Sequence, residues 1–324
     1  MPWTTMRSVA IPDGRASKFG DAIWRAPVKT PLRGSTSMLG SICDNAALMN
    51  AAPARCGRLL HMRAGPVRCA RANPEGSHHV RLKRVYIDRT LSLGAALELP
   101  QAAALHLAKV VRVRSGDALV LFTGDGREFA ATVESVRGSR VTAAVGEARS
   151  VDRESPLAIT LTQCLARGDR MDLIVQKATE LGVARIVPVL SRRSVVRLDA
   201  AQAQAKASHW RSIAVNACEQ CGRNRLPLIE PPRPLLEHLG APADAGPRLL
   251  LEPEAAATAP GLTVGGAVEI AIGPEGGFDS AELEAFRVSG FAPVRLGPRV
   301  LRTETAAIAA LAWLQSRFGD LEIG

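Results

Sequence analysis

The chain has 324 residues, 47% of them hydrophobic and 22% charged, and a formal net charge of +10. At roughly 150 residues per domain this length predicts about two domains, and the composition excludes wholesale disorder, a collagen-like repeat and a small disulfide scaffold. No apolar run of about 18 residues occurs, so no membrane span is predicted. With a single tyrosine, Tyr86, and aromatics at 4%, the core must rest on Leu, Val, Ile and Ala.

The charge is unevenly placed. Residues 1–79 carry nine Arg and two Lys against Asp13, Asp21, Asp44 and Glu75, a net of +7, which leaves +3 for residues 80–324. The same stretch holds seven Pro, seven Gly and six Ser without a sustained helix or strand period, so it reads as an unstructured leader. No compact apolar region follows a basic start, which excludes a secretory signal. An Arg-rich, acid-poor leader fits an organelle transit peptide or sequence translated from a misplaced start. The abrupt onset of ordered sequence at Val80-Arg81-Leu82 favours the misplaced start. Three of the six cysteines, Cys43, Cys56 and Cys69, fall in this leader, so the even total implies no disulfide framework.

A first small domain spans 80–150. Val85–Asp88 reads as a strand and Ala102–Val113 as a helix ended by Ser115-Gly116, with Gly116 as the left-handed residue. Ala118–Phe122 is a strand, Thr123-Gly124-Asp125-Gly126 a turn, Glu128–Val136 a strand, and Val141–Val145 another after Gly138-Ser139. Several short strands in so few residues predict a small β-barrel. Arg81, Lys83, Arg84, Lys109, Arg112 and Arg114 make its start and helix basic, as either a phosphate-contacting face or a solvated surface.

A second domain spans 151–324. Strands are expected at Leu157–Leu161, Arg185–Leu190, Leu226–Ile229, Arg248–Leu251, Ala267–Ile272 and Phe291–Leu296. Helices are expected at Asp169–Leu181, Ala201–Cys221, Leu235–Leu239, Ser280–Ser289 (capped by Ser280) and Thr305–Phe318. Gly182, Gly222 and Gly240 stop the first three helices. This alternation predicts a mostly parallel sheet covered on both faces.

In such sheets ligands sit beyond the carboxyl ends of the strands. Three strand ends stand out: Leu251-Glu252-Pro253, Ile272 through Phe278, and Leu296 through Thr305. The second is glycine-rich but matches neither the dinucleotide fingerprint nor the P-loop. In the third, Arg299, Arg302 and Glu304 flank apolar Val300-Leu301 just before an apolar helix. The simpler reading is a helix start, with Thr303 as cap and Glu304 favoured by the dipole. Cys218 and Cys221 have zinc-ligand or redox spacing, but no second pair completes a zinc site, and a structural role is the first expectation. His106 and His209 read as surface or core residues rather than catalysts.

Four segments in order carry a resemblance: Gly168–Met171 with Gln176–Gly182, Ala217–Arg223, Ile272–Phe278 and Leu296–Thr305. From about Val80 onward the chain resembles the RsmE-type 16S ribosomal RNA uracil-N3 methyltransferases, a family of the SPOUT superfamily. The resemblance implies a fold of class α/β, a small PUA-like RNA-binding barrel followed by an α/β SPOUT domain with a C-terminal trefoil knot. It also implies a homodimer, S-adenosylmethionine as cofactor with no metal, and 16S rRNA of the small subunit as partner; the lack of an apolar span predicts no membrane, and the cysteine usage predicts a reducing cytoplasm, or an organelle where the leader is a transit peptide. Leu251, Glu252, Gly273, Gly276, Leu296, Gly297, Val300, Leu301 and Thr305 would surround the cofactor, and Glu275 would line that site or order its own loop. Arg302 would stabilise a uracil oxyanion and Glu304 would orient the base or relay its proton. Arg84, Arg112, Lys177, Arg192, Arg193, Arg197 and Arg223 are candidate phosphate contacts or, alternatively, solvated surface charges. Other readings are a knotted methyltransferase acting on tRNA ribose, a noncatalytic RNA-binding assembly factor, and a redox or zinc protein built on the Cys218/Cys221 pair.

Overall fold

The computed structural model describes residues 82–194, 198–242, 246–256 and 262–322. The basic leader, Val80, Arg81 and Arg197 lie outside the described residues. Both sheets of the chain belong to one compact unit.

The first sheet is built from β1 (Lys83–Tyr86), β2 (Ala96–Glu98), β3 (Ala118–Phe122), β4 (Arg127–Arg137) and β5 (Arg140–Ser150), in the order β1-β3-β4-β5-β2. β1 runs parallel to β3, and the remaining pairs are antiparallel. Alternation along β3, β4 and β5 turns Leu119, Leu121, Phe129, Val133, Val141 and Val145 onto one core with Val85 and Leu107. β2 has only three residues, too few for an alternating pattern to be read. The expected single helix is α1 (Gln101–His106) running into a π-helical turn, Leu107–Val111. Arg112, at φ +61°, is the left-handed residue that ends it. Gly116 instead serves the turn before β3, donating its N–H to Val133 O at 2.8 Å.

The second sheet contains β6 (Ala158–Cys164), β7 (Arg185–Leu190), β8 (Leu228–Ile229), β10 (Arg248–Leu251), β11 (Ala267–Ile272) and β12 (Phe291–Val294), ordered β12-β10-β11-β6-β7-β8, with β9 (Arg233–Pro234) pairing β7. Every pair in it is parallel. Helices α2 (Arg170–Glu180), α3 (Ala200–Cys221) and α6 (Thr303–Phe318) bury Ile174, Trp210 and Leu311 against Ile159, Leu161 and Ile270. On the opposite face α4 (Leu235–Gly240) and α5 (Ser280–Val288) bury Leu235 and Phe286 against Val187, Leu250 and Ala271. Strands buried on both faces read as continuous apolar runs, which is why they were visible in the sequence.

Two helix caps differ from expectation. Asp279, not Ser280, caps α5 through a capping box with Glu282. The α6 helix begins at Thr303 with Arg302 at the N-cap and no side-chain cap. Thr303 is therefore a helical residue whose hydroxyl is free for another partner.

Two structural predictions arise here. Gly246 sits at φ +111°, and a Cβ there would lie 2.3 Å from Ala267 O. Gly246→Ala is expected to destabilise the fold by more than about 1 kcal/mol, whereas Gly240→Ala, with nothing within 4 Å of the new Cβ, should shift it by less than about 0.5 kcal/mol. Denaturant midpoints check both. The second concerns Glu269, which is buried and accepts from Thr162 Oγ1 at 2.5 Å, from Arg248 Nε at 2.8 Å and from His238 Nε2 at 2.8 Å. Burial alone would raise its carboxyl, but the bonds from His238 and Thr162 and the Arg248 charge outweigh that and hold it below the ordinary value of 4.5. A depressed folded value contributes stability that is present above the unfolded value and lost as pH falls through the folded one. The stability gap between wild type and Glu269→Gln should therefore close as pH falls below 4.5, as measured by unfolding at stepped pH.

Candidate active site

Strand register brings the three sequence-marked loops together. Leu251 stands opposite both Ile272 and Val294, so β10, β11 and β12 end in line and their loops leave the same edge of the sheet. Glu252 N donates to Val294 O at 2.9 Å, tying the first loop to the third strand. In the second loop Gly277 N closes a turn onto Pro274 O at 3.0 Å, with Gly277 at φ +64°. A Cβ at Gly273 would lie 3.0 Å from the Phe278 ring, which itself packs edge-on against Phe286. The glycine thus lets an aromatic side chain pin the loop to α5.

The third loop is locked to the second from below. Thr303 Oγ1 donates to Gly273 O at 2.7 Å and accepts from Gln163 Nε2 at 3.1 Å, and the same amide nitrogen donates to Cys164 O at 2.9 Å. Gln163 is fully buried at the end of β6. Among the described residues its Oε1 has no hydrogen-bond partner, and neither has the buried Oε2 of Glu304. A buried acceptor left unpaired costs about 1–3 kcal/mol, so the site holds two acceptors that a donor-bearing ligand would relieve.

Charge surrounds this floor. Arg170, in the first turn of α2, donates Nη1 to Glu275 Oε1 at 2.6 Å and places Nε 4.0 Å from Glu304 Oε1. Glu275 also accepts from Arg167 N at 3.3 Å. Burial raises the Glu275 carboxyl, but backbone amides and Arg170 outweigh this and hold it below the ordinary value. Glu275 therefore orders its own loop and links it to α2. Arg193 Nη1 donates to Gly276 O at 2.8 Å, and Arg192 lies 3.5 Å from Asp279. Both arginines are exposed beside the glycine loop.

The expected cofactor residues line this edge. Leu251, Leu296 and Leu301 are half-buried against the core, and Glu252 and Gly273 are half-buried. Gly276, Gly297 and Thr305 are exposed, and Val300 is 81% exposed. Of the two expected catalytic residues, Arg302 is exposed and the Glu304 side chain is only 14% exposed. Sequence reasoning missed Gln163, Thr303 as a positioning group, and Arg170. The one available signal for Gln163 was an uncharged amide near the end of an otherwise apolar strand.

Two expected phosphate contacts are corrected. Arg84 and Arg223 have side chains only 8% and 7% exposed. Arg84 donates to Glu128 Oε2 at 2.8 Å and Asn224 Oδ1 at 2.5 Å. Arg223 donates Nε and Nη2 to Glu154 Oε2 at 3.0 and 2.6 Å, and Nη1 to Thr179 O and Val183 O. Tyr86 N donates to Glu219 Oε1 at 3.0 Å, joining the first sheet to α3 beside a groove of about 930 Å³. Neither guanidinium is free for a phosphate. Arg112 is exposed, and Lys177 is half-buried and paired with Glu180 at 2.9 Å. His209 is exposed and paired with Asp172, and His106 is exposed at the groove.

The family model for an RNA methyltransferase PUA domain matches residues 99–145, and that for an RNA methyltransferase domain matches residues 153–315. Fold and site thus define an RNA methyltransferase with a PUA domain. A relative from Buchnera aphidicola, ribosomal RNA small subunit methyltransferase E, is 33% identical over 74% of this chain and 98% of its own. The Bacillus subtilis protein of that name is 33% identical over 64% of this chain and 84% of its own. The crystal structure of a Neisseria gonorrhoeae ribosomal RNA small subunit methyltransferase E bound to S-adenosyl methionine is 37% identical. It has a TM-score of 0.69 and covers 74% of this chain and all of that one. The chain belongs to the ribosomal RNA small subunit methyltransferase E family.

Proposed function

We propose that the chain methylates N3 of one uridine in the 16S rRNA of the small ribosomal subunit, with S-adenosylmethionine as donor. The observation that carries this reading is the convergence of three strand-end loops on the Gln163–Thr303–Gly273 lock, with Arg302 and Glu304 at its rim. Bound there, S-adenosylmethionine supplies a methyl group on a positively charged sulfur. The residues fit it: Leu251, Leu296 and Leu301 offer apolar walls, the glycine loops offer backbone groups, and the unpaired oxygens of Gln163 and Glu304 await donors. Glu252, Gly276, Gly297, Val300 and Thr305 complete the rim.

Uracil N3 carries a proton and is a poor nucleophile while neutral, so the site must remove that proton or stabilise the anion. Arg302, exposed and cationic at the start of α6, stabilises the oxyanion on the uracil carbonyls. Glu304 accepts or relays the N3 proton, with the Arg170 guanidinium 4.0 Å from its other oxygen. Because N3 lies on the pairing edge, the base is unpaired when it enters. Arg112 on the first domain and Arg192 and Arg193 beside the glycine loop contact phosphates, with Lys177 in support.

The same reading assigns 80–150 to the RNA-binding domain and 151–324 to the methyltransferase domain. It includes a trefoil knot, supported by α6 starting against Gly273 after β12 has left the far side of β10. It also includes a homodimer and a cytoplasmic site of action. Among the described residues no helix is long and apolar enough to cross a membrane, and none form a cluster of three or more metal-ligating side chains. Calorimetric titration with S-adenosylmethionine is expected to show one site per chain. Absence of binding would overturn the donor assignment and favour a noncatalytic RNA-binding factor. Arg112→Ala is expected to weaken rRNA binding and lower the slope of log K against log salt by about 1, measured by salt titration.

A further inference from the structure

A single connecting segment, residues 151–157, runs from β5 of the first sheet to β6 of the second. Domains joined in this way ordinarily move relative to one another unless a large apolar interface holds them. Here the facing surfaces part. Lys83, Tyr86 and His106 on one side and Arg211, Val215 and Glu219 on the other line the groove of about 930 Å³. A gap of that size supplies no packing to fix an angle. Beside it lies a buried polar joint, built on the segment that follows α3.

Asn224 is the hub of this joint and is 1% exposed. Its Oδ1 accepts from Arg84 Nη2 of β1 at 2.5 Å. Its Nδ2 donates to Glu128 Oε2 of β4 at 3.3 Å and to Val151 O of the connecting segment at 2.9 Å. Its carbonyl oxygen accepts from Gly126 N, in the turn between β3 and β4, at 3.1 Å. The side chain must offer one acceptor and two donors at once, which among side chains of this length only an amide does. The flanking residues extend the joint. Gly222 O accepts from Arg153 Nη1 at 3.0 Å, and Arg223 holds Glu154 together with Thr179 O and Val183 O at the end of α2. The first turn of α2 carries Arg170, bonded to Glu275 and 4.0 Å from Glu304. One helix thus runs from the joint to the methyl-transfer edge.

We propose that Asn224 is a positioning residue that fixes the RNA-binding domain at one distance and angle from the methyl-transfer edge, so that the two domains grip one rRNA at a set span. The inference rests on the functional reading above. Two contacts on one RNA, held at a fixed span, act as a bivalent binder whose second contact forms at high effective concentration. A loose joint lowers that concentration without altering either contact. Asn224 therefore acts on substrate affinity through Arg84, Glu128 and Val151, and touches neither the methyl donor nor the base.

The test is methyl transfer to small ribosomal subunits by the full-length chain. Asn224→Ala is expected to raise KM for subunits by about 10- to 100-fold, with kcat and affinity for S-adenosylmethionine close to the wild-type values. Spin labels at positions 134 and 237, exposed on β4 and α4, read the geometry directly in labelled chains diluted with unlabelled protein. One narrow distance is expected in the wild type and a broad distribution in Asn224→Ala. Asn224→Asp sets a carboxylate against Glu128, and adding Glu128→Gln returns one carboxylate and one amide to the joint. The paired variant is expected to recover part of the affinity and of the narrow distance that Asn224→Asp alone loses. Thermal melting identifies the variants that fold, and the Asp and paired variants carry the test if Asn224→Ala does not. An unchanged KM in a folded variant, a raised KM with the narrow distance retained, or a loss confined to kcat would overturn the proposal. A wild-type chain that binds subunits but transfers no methyl group would sink the functional reading alone, and the dissociation constant for subunits and the label distance would then decide the role of Asn224.

Discussion

Arg223→Ala is expected to cost about 3–5 kcal/mol of unfolding free energy, the range for removing one partner of a buried ion pair. The guanidinium is 7% exposed and every nitrogen donates: Nε and Nη2 to Glu154 Oε2, Nη1 to Thr179 O and Val183 O. Truncation leaves Glu154, itself only 18% exposed, without its counter-charge, and strips two carbonyls at the end of α2. Arg223→Lys is expected to recover only part of the loss, since a single ammonium cannot serve a carboxylate and two carbonyls in fork geometry. Guanidinium denaturation reads the change as a lower midpoint at unchanged slope. A loss below about 1 kcal/mol would show that Arg223 is not the buried anchor described above.

Arg302→Ala is expected to lower kcat by about 10²- to 10³-fold, the range for removing one preorganised oxyanion donor, while affinity for S-adenosylmethionine stays close to that of the wild type. Arg302 is exposed at the N-cap of α6 and makes no side-chain cap, so its removal should not unfold the chain. Glu304→Gln is expected to lower kcat by about 10²- to 10⁴-fold through loss of its handling of the N3 proton. Steady-state kinetics on small subunits separates the two. An Arg302→Ala enzyme within about threefold of wild type would remove the oxyanion role, given how large a lost donor's effect is.

Much of the architecture was legible because parallel strands buried on both faces are largely apolar, as in Leu249–Leu250 and Ile186–Val189. The three loops were legible because each segment, two of them glycine-bearing, follows such a strand. Their meeting was not, since it depends on the register that sets Leu251 against Ile272 and Val294. The floor of the site depends on contacts of long sequence separation: Gln163 with Thr303, and Arg170 with Glu275. No local pattern reports those. The same blindness misassigned Arg84 and Arg223. Each looked like a free surface cation because its acidic partner, Glu128 or Glu154, lies far away in the chain. Short elements were lost for a different reason: β2 and β9 have three and two residues, too few for any period. Arg112 ended its helix in a conformation normally given to glycine, so Gly116 drew the assignment.

The most direct test of the central claim is methyl transfer to small ribosomal subunits from a strain lacking this protein. Labelled S-adenosylmethionine is the donor, and the product rRNA is digested to nucleosides. The expected result is label in N3-methyluridine at one position of 16S rRNA, lost with Arg302→Ala. Label in a ribose-methylated nucleoside, or no label with folded protein and donor bound, would contradict it.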